Sequence, residues 1–130
     1  MRRGEIYRVH HPSDDPKLYR CFVVVSRQTL IDSRFPTVVC APLLTRGHGF
    51  STQVSVGIDE GLKHESWILC DNLVRLRKVQ MTRFLGTLTR SQREELDRAL
   101  KMALALEQVG RSYPASFAAN TNTSAPTTIL

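Results

Sequence analysis

Short apolar or alternating runs fill the chain from Gly4 to Leu88: GEIYRVH, RCFVVVS, TVVCAPLL, STQVSV, ESWILC, LVRL and RFLGTL, separated by turn residues. No helix-period segment lies between them, so there is no crossover of the kind a parallel neighbour needs. Six or seven short antiparallel strands are the consequence. CFVVVS is apolar at consecutive positions and should be a central strand covered on both faces, whereas STQVSV alternates and should be half exposed. Curling such a sheet into a small barrel removes vulnerable edges. The expected fold is therefore mainly β, a small barrel of curved antiparallel strands with a C-terminal helix.

That helix is read from SQREELDRALKMALALEQV, where Leu96, Ala99, Leu100, Ala103 and Leu104 share one stripe and Arg93, Glu94, Asp97 and Lys101 lie elsewhere around the circle. Thr89 with Gln92 and Ser91 with Glu94 both have capping-box spacing, and Gly110 is the expected stop. The last twenty residues, RSYPASFAANTNTSAPTTIL, are polar and aperiodic, too poor in apolar surface to offset the entropy of ordering them. One domain over residues 1–110 with a flexible tail from Arg111 is predicted, within the size range of a single core.

Charge narrows the partner. The net charge is +6, and fourteen arginines stand against four lysines. Arginine's planar fork suits bidentate contact with phosphate and stacking on bases, so a polyanion is favoured. Cys21, Cys40 and Cys70 are far apart and set in apolar runs, which reads as core residues in a reducing, cytoplasmic compartment. No segment approaches the length that spans a bilayer.

Four histidines, His10, His11, His48 and His64, are the first places to seek acid–base chemistry. His10, His11, Asp14 and Asp15 form a loose cluster, but consecutive strand residues point to opposite faces, and no metal site is expected. RGHGF has Gly-x-Gly without the third glycine, the Lys-Ser/Thr or the helix of a nucleotide loop, so no cofactor is expected. A basic loop remains, in which Arg46 and His48 could touch phosphate while Thr45 is fixed at the end of a strand. Arg20 stands directly ahead of the most apolar run, CFVVV, where a charge needs a partner or an open groove.

With Arg20 and Thr45 both at ends of apolar strands, the pattern resembles the MazF/PemK toxin family of bacterial endoribonucleases over most of Arg3 to Leu106. RRGEIYRV is similar to its first strand, YRCFVVVS to its arginine-led second strand, and VVCAPLLT to the strand whose Pro-x-x-Thr end carries a hydroxyl. CDNLVRL resembles its acidic-amide turn and LTRSQREELDRALKMALAL its terminal helix. Cys21 stands where that family usually has proline, SDDPKLY replaces its longer Glu-Gln-Gly loop, and Leu69 precedes Asp71 where one branch has arginine.

The resemblance implies an SH3-like barrel, usually a homodimer, that cleaves single-stranded RNA without metal by attack of a ribose 2′-OH on the adjacent phosphate. It implies catalytic roles for Arg20 and Thr45 and substrate contacts from Arg46, His48, Asp71 and Asn72. Asp14, Asp15, His10 and Asp71 are the candidates for removing the 2′ proton. A cognate antitoxin with an acidic tail is the implied protein partner. Two alternatives are a non-catalytic gyrase poison of the same fold, whose C-terminal Trp-Gly-Ile this chain lacks, and an inactive RNA-binding module.

Overall fold

The computed structural model describes residues 1–10 and 19–106. Its strands are β1 (Glu5–His10), β2 (Tyr19–Val24), β3 (Thr37–Leu44), β4 (Gln53–Val56), β5 (Ser66–Leu69), β6 (Val74–Arg77) and β7 (Arg83–Thr87). A one-turn helix α1 (Gln28–Ile31) precedes β3, and helix α2 (Arg90–Ala103) follows β7. Each run singled out in the sequence overlaps a strand, and every strand pair is antiparallel. Helix α1 was not expected, because a single turn is too short to show a period.

The sheet runs β4-β5-β3-β2-β1-β7, with β6 sharing one edge of β3 with β5. Residues Thr37 to Cys40 of β3 pair with β6, and Leu43 and Leu44 pair with β5. Pro42 lies in the switch between those partners. Val25 N–H donates to the Val39 carbonyl at 3.0 Å, and alternation along the β2–β3 ladder then makes Phe22–Pro42 a pair without mutual hydrogen bonds. The N–H that proline lacks would have faced the switch, where no ladder bond is lost.

Both faces of the central strands are covered. Ile6, Val23, Ala41, Leu43 and Ile68 pack with Leu96, Ala99 and Leu100 of α2. On the other face Tyr7, Phe22, Val24, Val38 and Cys40 pack with Ile31 and Met81. Consecutive residues of β2 thus enter opposite cores, which is why CFVVV is apolar throughout. The edge strand β4 instead alternates, with Val54 and Val56 buried and Ser55 exposed.

The sheet curls into a half-barrel through an irregularity in β7. Ile6 is registered with Gly86 and Tyr7 with Phe84, leaving Leu85 as an extra residue. Such a bulge bends the strand and increases its twist. It carries the Leu85 carbonyl against Gly61 in the connection after β4, while the Glu60 carbonyl lies against Gly86. A Cβ on either glycine would collide with those backbone atoms, and Gly61 also has φ +91°, a conformation that side chains disfavour.

Helix α2 begins on the first of the two boxes. Gln92 N–H donates to Thr89 Oγ1 at 3.1 Å and Thr89 N–H to Gln92 Oε1 at 2.9 Å. Its end differs from expectation: the stop is Ala105, not Gly110. Ala105 has φ 56°, Leu106 N–H donates to the Lys101 carbonyl at 2.9 Å and Ala105 N–H to the Met102 carbonyl at 3.2 Å. That is a Schellman closure with alanine in the position glycine usually takes. Gly110 and the tail expected from Arg111 lie outside the described residues. No helix among the described residues is long and apolar enough to cross a membrane.

Two outcomes follow for stability. Gly86→Ala and Gly61→Ala should each destabilise by about 2–4 kcal/mol in chemical denaturation, Gly61 more because overpacking adds to a disfavoured φ. Gly49→Ala, also at positive φ but with open space around it, should cost only about 1 kcal/mol. Ala105→Gly should stabilise by about 0.5–1 kcal/mol, read from the same denaturation midpoint.

Candidate active site

Arg20 and Thr45 are brought together by the β2–β3 ladder. Cys21 is paired with Leu43, so Arg20 sits one step past that pair and Thr45 is the first residue after β3 ends at Leu44. Both are exposed, and both line a cavity of about 830 Å³ at this end of the sheet. Alternation would direct them to opposite faces had β3 continued, and the cavity wraps the sheet end so that it meets both.

The rest of the lining has one electrostatic character. Arg8 and His10 come from β1, and Lys63 and His64 from the connection between β4 and β5. Thr45, Ser66 and Gln80 supply neutral polar groups, and leucine side chains with Phe22 make the apolar wall. No carboxylate is among these described lining residues. A cleft lined by one sign of charge with apolar walls concentrates anions.

Lys63 and His64 were not assigned to the site from the sequence, although the adjacent pair in GLKHES was visible there. Their place depends on anchors at both ends of the connection. Gly61 rests on the Leu85 carbonyl, Leu62 is buried, and Ser66 Oγ donates to the His64 carbonyl at 3.2 Å. Upstream, the buried Glu60 accepts the Gly57 N–H through Oε1 at 2.7 Å.

The other expected site residues stand outside the cavity lining. Arg46 and His48 are exposed in the loop between β3 and β4. That loop is pinned where Gly47 lies flat on the Trp67 indole, leaving no room for a Cβ. His48 N–H donates to Gln53 Oε1 at 2.8 Å, and its ring stacks on Phe50 with centroids 5.3 Å apart and planes 29° apart. Phe50 is 57% exposed, an aromatic surface that the sequence reading passed over. Asp71 accepts the Thr52 hydroxyl at 2.7 Å and so ties the turn after β5 to the base of this loop, with Asn72 exposed beside it. Among the described residues, no group of three His, Cys, Asp or Glu side chains is placed to hold a metal ion. His11, Asp14 and Asp15 lie outside the described residues.

A curled antiparallel half-barrel closed by a C-terminal helix, with a cationic cavity at one sheet end, defines a small β domain. A sequence model of the PemK-like, MazF-like toxins of type II toxin-antitoxin systems matches residues 2–104, and the chain belongs to that family. No curated protein matches it in sequence. Among solved structures it is similar to the Mycobacterium tuberculosis toxin MazF-mt6, at 25% identity and a TM-score of 0.69, covering 79% of this chain and 98% of that one. It is also similar to a mycobacterial endoribonuclease in complex with its cognate antitoxin, at 25% identity and a TM-score of 0.70, covering 84% and 99%. A MazE-MazF structure from Deinococcus radiodurans shares the fold at 15% identity and a TM-score of 0.66, covering 81% and 96%.

The thiols offer no nucleophile here. Burial pushes Cys40 up to about 12, burial with the neighbouring Asp71 pushes Cys70 up to about 11, and burial raises Cys21 against the opposing pull of Arg8. Tyr7 is raised to about 12, first by burial and then by donating its hydroxyl to Glu5 Oε1. The fold favours the neutral form of each group, so their contribution to stability is intact below the unfolded thiol value near 9. It is lost as pH rises toward 11–12. Denaturation midpoints should therefore fall steadily above pH 9, and native Cys40 and Cys70 should resist iodoacetamide at pH 8 while the unfolded chain is alkylated readily.

Proposed function

We propose that the protein is an endoribonuclease toxin that cleaves single-stranded RNA at selected sequences, by attack of a ribose 2′-OH on the adjacent phosphorus without a metal ion. The observation that carries this reading is the meeting of Arg20 and Thr45, from two different strand ends, in one cavity whose described lining holds cations and no carboxylate. Family membership supports the same reaction. The cut leaves a 2′,3′-cyclic phosphate and a 5′-OH.

In this reading the Arg20 guanidinium stabilises charge that builds on the non-bridging phosphate oxygens, and the Thr45 hydroxyl holds one of those oxygens in place. Arg46 takes a flanking phosphate, and the exposed His48–Phe50 stack offers a face for a base, a form of contact suited to unpaired RNA. Asp71 and Asn72, beside the base of that loop, contact the strand further along. The protein acts as a cytoplasmic homodimer and is neutralised by an antitoxin whose acidic segment competes with RNA for the same cavity.

Incubating the protein with a long single-stranded RNA in EDTA and sequencing the 5′-OH ends tests the reaction and reveals the cut site. Arg20→Ala and Thr45→Ala should each lower kcat by about 10²–10³-fold, the scale of losing one positioned donor to a developing oxyanion, with thermal midpoints unchanged. Wild-type rates from the double variant would remove both residues from the site. Intact RNA after incubation with the wild-type protein would remove the function.

A further inference from the structure

The RNA reaction moves two protons, and neither Arg20 nor Thr45 suits that task. Arginine stays protonated at any working pH and a threonine hydroxyl is a weak acid and a weak base. The described lining contains no carboxylate to take the part, but it contains two imidazoles, His10 and His64. Imidazole is the side chain best matched to giving and taking protons near neutrality.

We propose that His64 is a catalytic proton carrier of this cleavage, sharing the two transfers with His10, which lines the same cavity. The proposal rests on the endoribonuclease reading above. His64 is exposed, lines the same cavity as Arg20 and Thr45, and is held by its backbone rather than its ring. Its carbonyl accepts from Ser66 Oγ, and its segment is fixed by buried Leu62 and by Gly61 against Leu85. The charged residues that line the cavity with it are Arg8, Arg20 and Lys63, the last beside it in the chain; the adjacent Glu65 packs over Gly57. A fixed backbone with a solvent-reaching ring suits a group that must meet a substrate atom repeatedly in one place.

The step balances without a further reactant. The 2′ oxygen gives its proton to the neutral imidazole as the O2′–P bond forms, the P–O5′ bond breaks, and the imidazolium of the other histidine gives a proton to the departing 5′ oxygen. The product is the cyclic phosphate and a 5′-OH.

The test is steady-state cleavage of an RNA containing the mapped cut site by the wild-type protein, His64→Ala and His64→Gln. Both variants should lose about 10²–10⁴-fold in kcat, the usual worth of general acid–base catalysis, with KM within about threefold and thermal midpoints unchanged. Imidazole added to the buffer should restore part of the lost rate to His64→Ala, because the vacated space opens on the cavity; His10→Ala should show the same loss. Wild-type kcat in either His64 variant, or a loss confined to KM that imidazole does not restore, overturns the proposal while leaving the endoribonuclease reading intact. Absence of cleavage by the wild-type protein overturns both.

Discussion

The contact on which the site depends most is the backbone meeting of the Gly60s turn with the bulged strand β7, where Gly61 lies on the Leu85 carbonyl and Gly86 on that of Glu60. An open antiparallel sheet would leave β7 and the connection after β4 far apart, since they belong to opposite ends of the strand order. The extra residue at Leu85 turns β7 inward, and the absence of side chains at 61 and 86 lets two backbones touch. Once that seam closes, the segment from Gly61 to Ser66 becomes a cavity wall and carries Lys63 and His64 toward the strand ends that hold Arg20 and Thr45. Curvature and site assembly are therefore one event.

Charge placement completes the arrangement. Several carboxylates engage groups outside the cavity lining. Glu5 accepts from Arg2 N–H and the Tyr7 hydroxyl, Glu60 from Gly57 N–H, and Asp71 from Thr52. Asp97 of α2 meets Arg3, ahead of β1, at 2.9 Å, and Glu94 meets Arg90 within the helix at 3.6 Å. An exposed pair such as Arg90–Glu94 adds little stability. The consequence of these contacts is electrostatic: carboxylates are committed to turns and to α2, and the described cavity lining keeps a one-signed field.

Strand positions were legible because burial alternates with a period that short runs display directly, and β2 betrayed its central place by having no polar face. The C-terminal helix was legible for the same reason at a longer period. Its end was not, since Ala105 accepts a left-handed conformation that composition would assign to glycine. The Leu85 bulge leaves no local mark, because a bulge is a relation between two strands. Arg20 and Thr45 could be singled out as oddities at strand ends, yet their meeting depends on register between residues far apart in sequence. Lys63 and His64 sit in a run without periodicity, and only the Gly61 contact, made with a residue more than twenty positions later, gives them a direction.

The apolar part of the cavity has a role beyond packing. Arg20 and Thr45 sit where two doubly covered strands end: Arg20 is paired with Val9 of β1, Thr45 directly follows Leu44, which is paired with Trp67 of β5, and both residues are exposed. The wall around them is largely leucine and phenylalanine. In the proposed reaction a phosphate entering there would give up water to a surface that cannot replace it with mobile dipoles, and the guanidinium meeting it would act through a lower effective dielectric than on an open face. Rigid strand ends then matter as much as charge, because a donor that does not have to reorganise stabilises a developing oxyanion more than one that does. In a domain this small, burying β2 and β3 on both faces is what supplies that rigidity at the point where the chain turns polar.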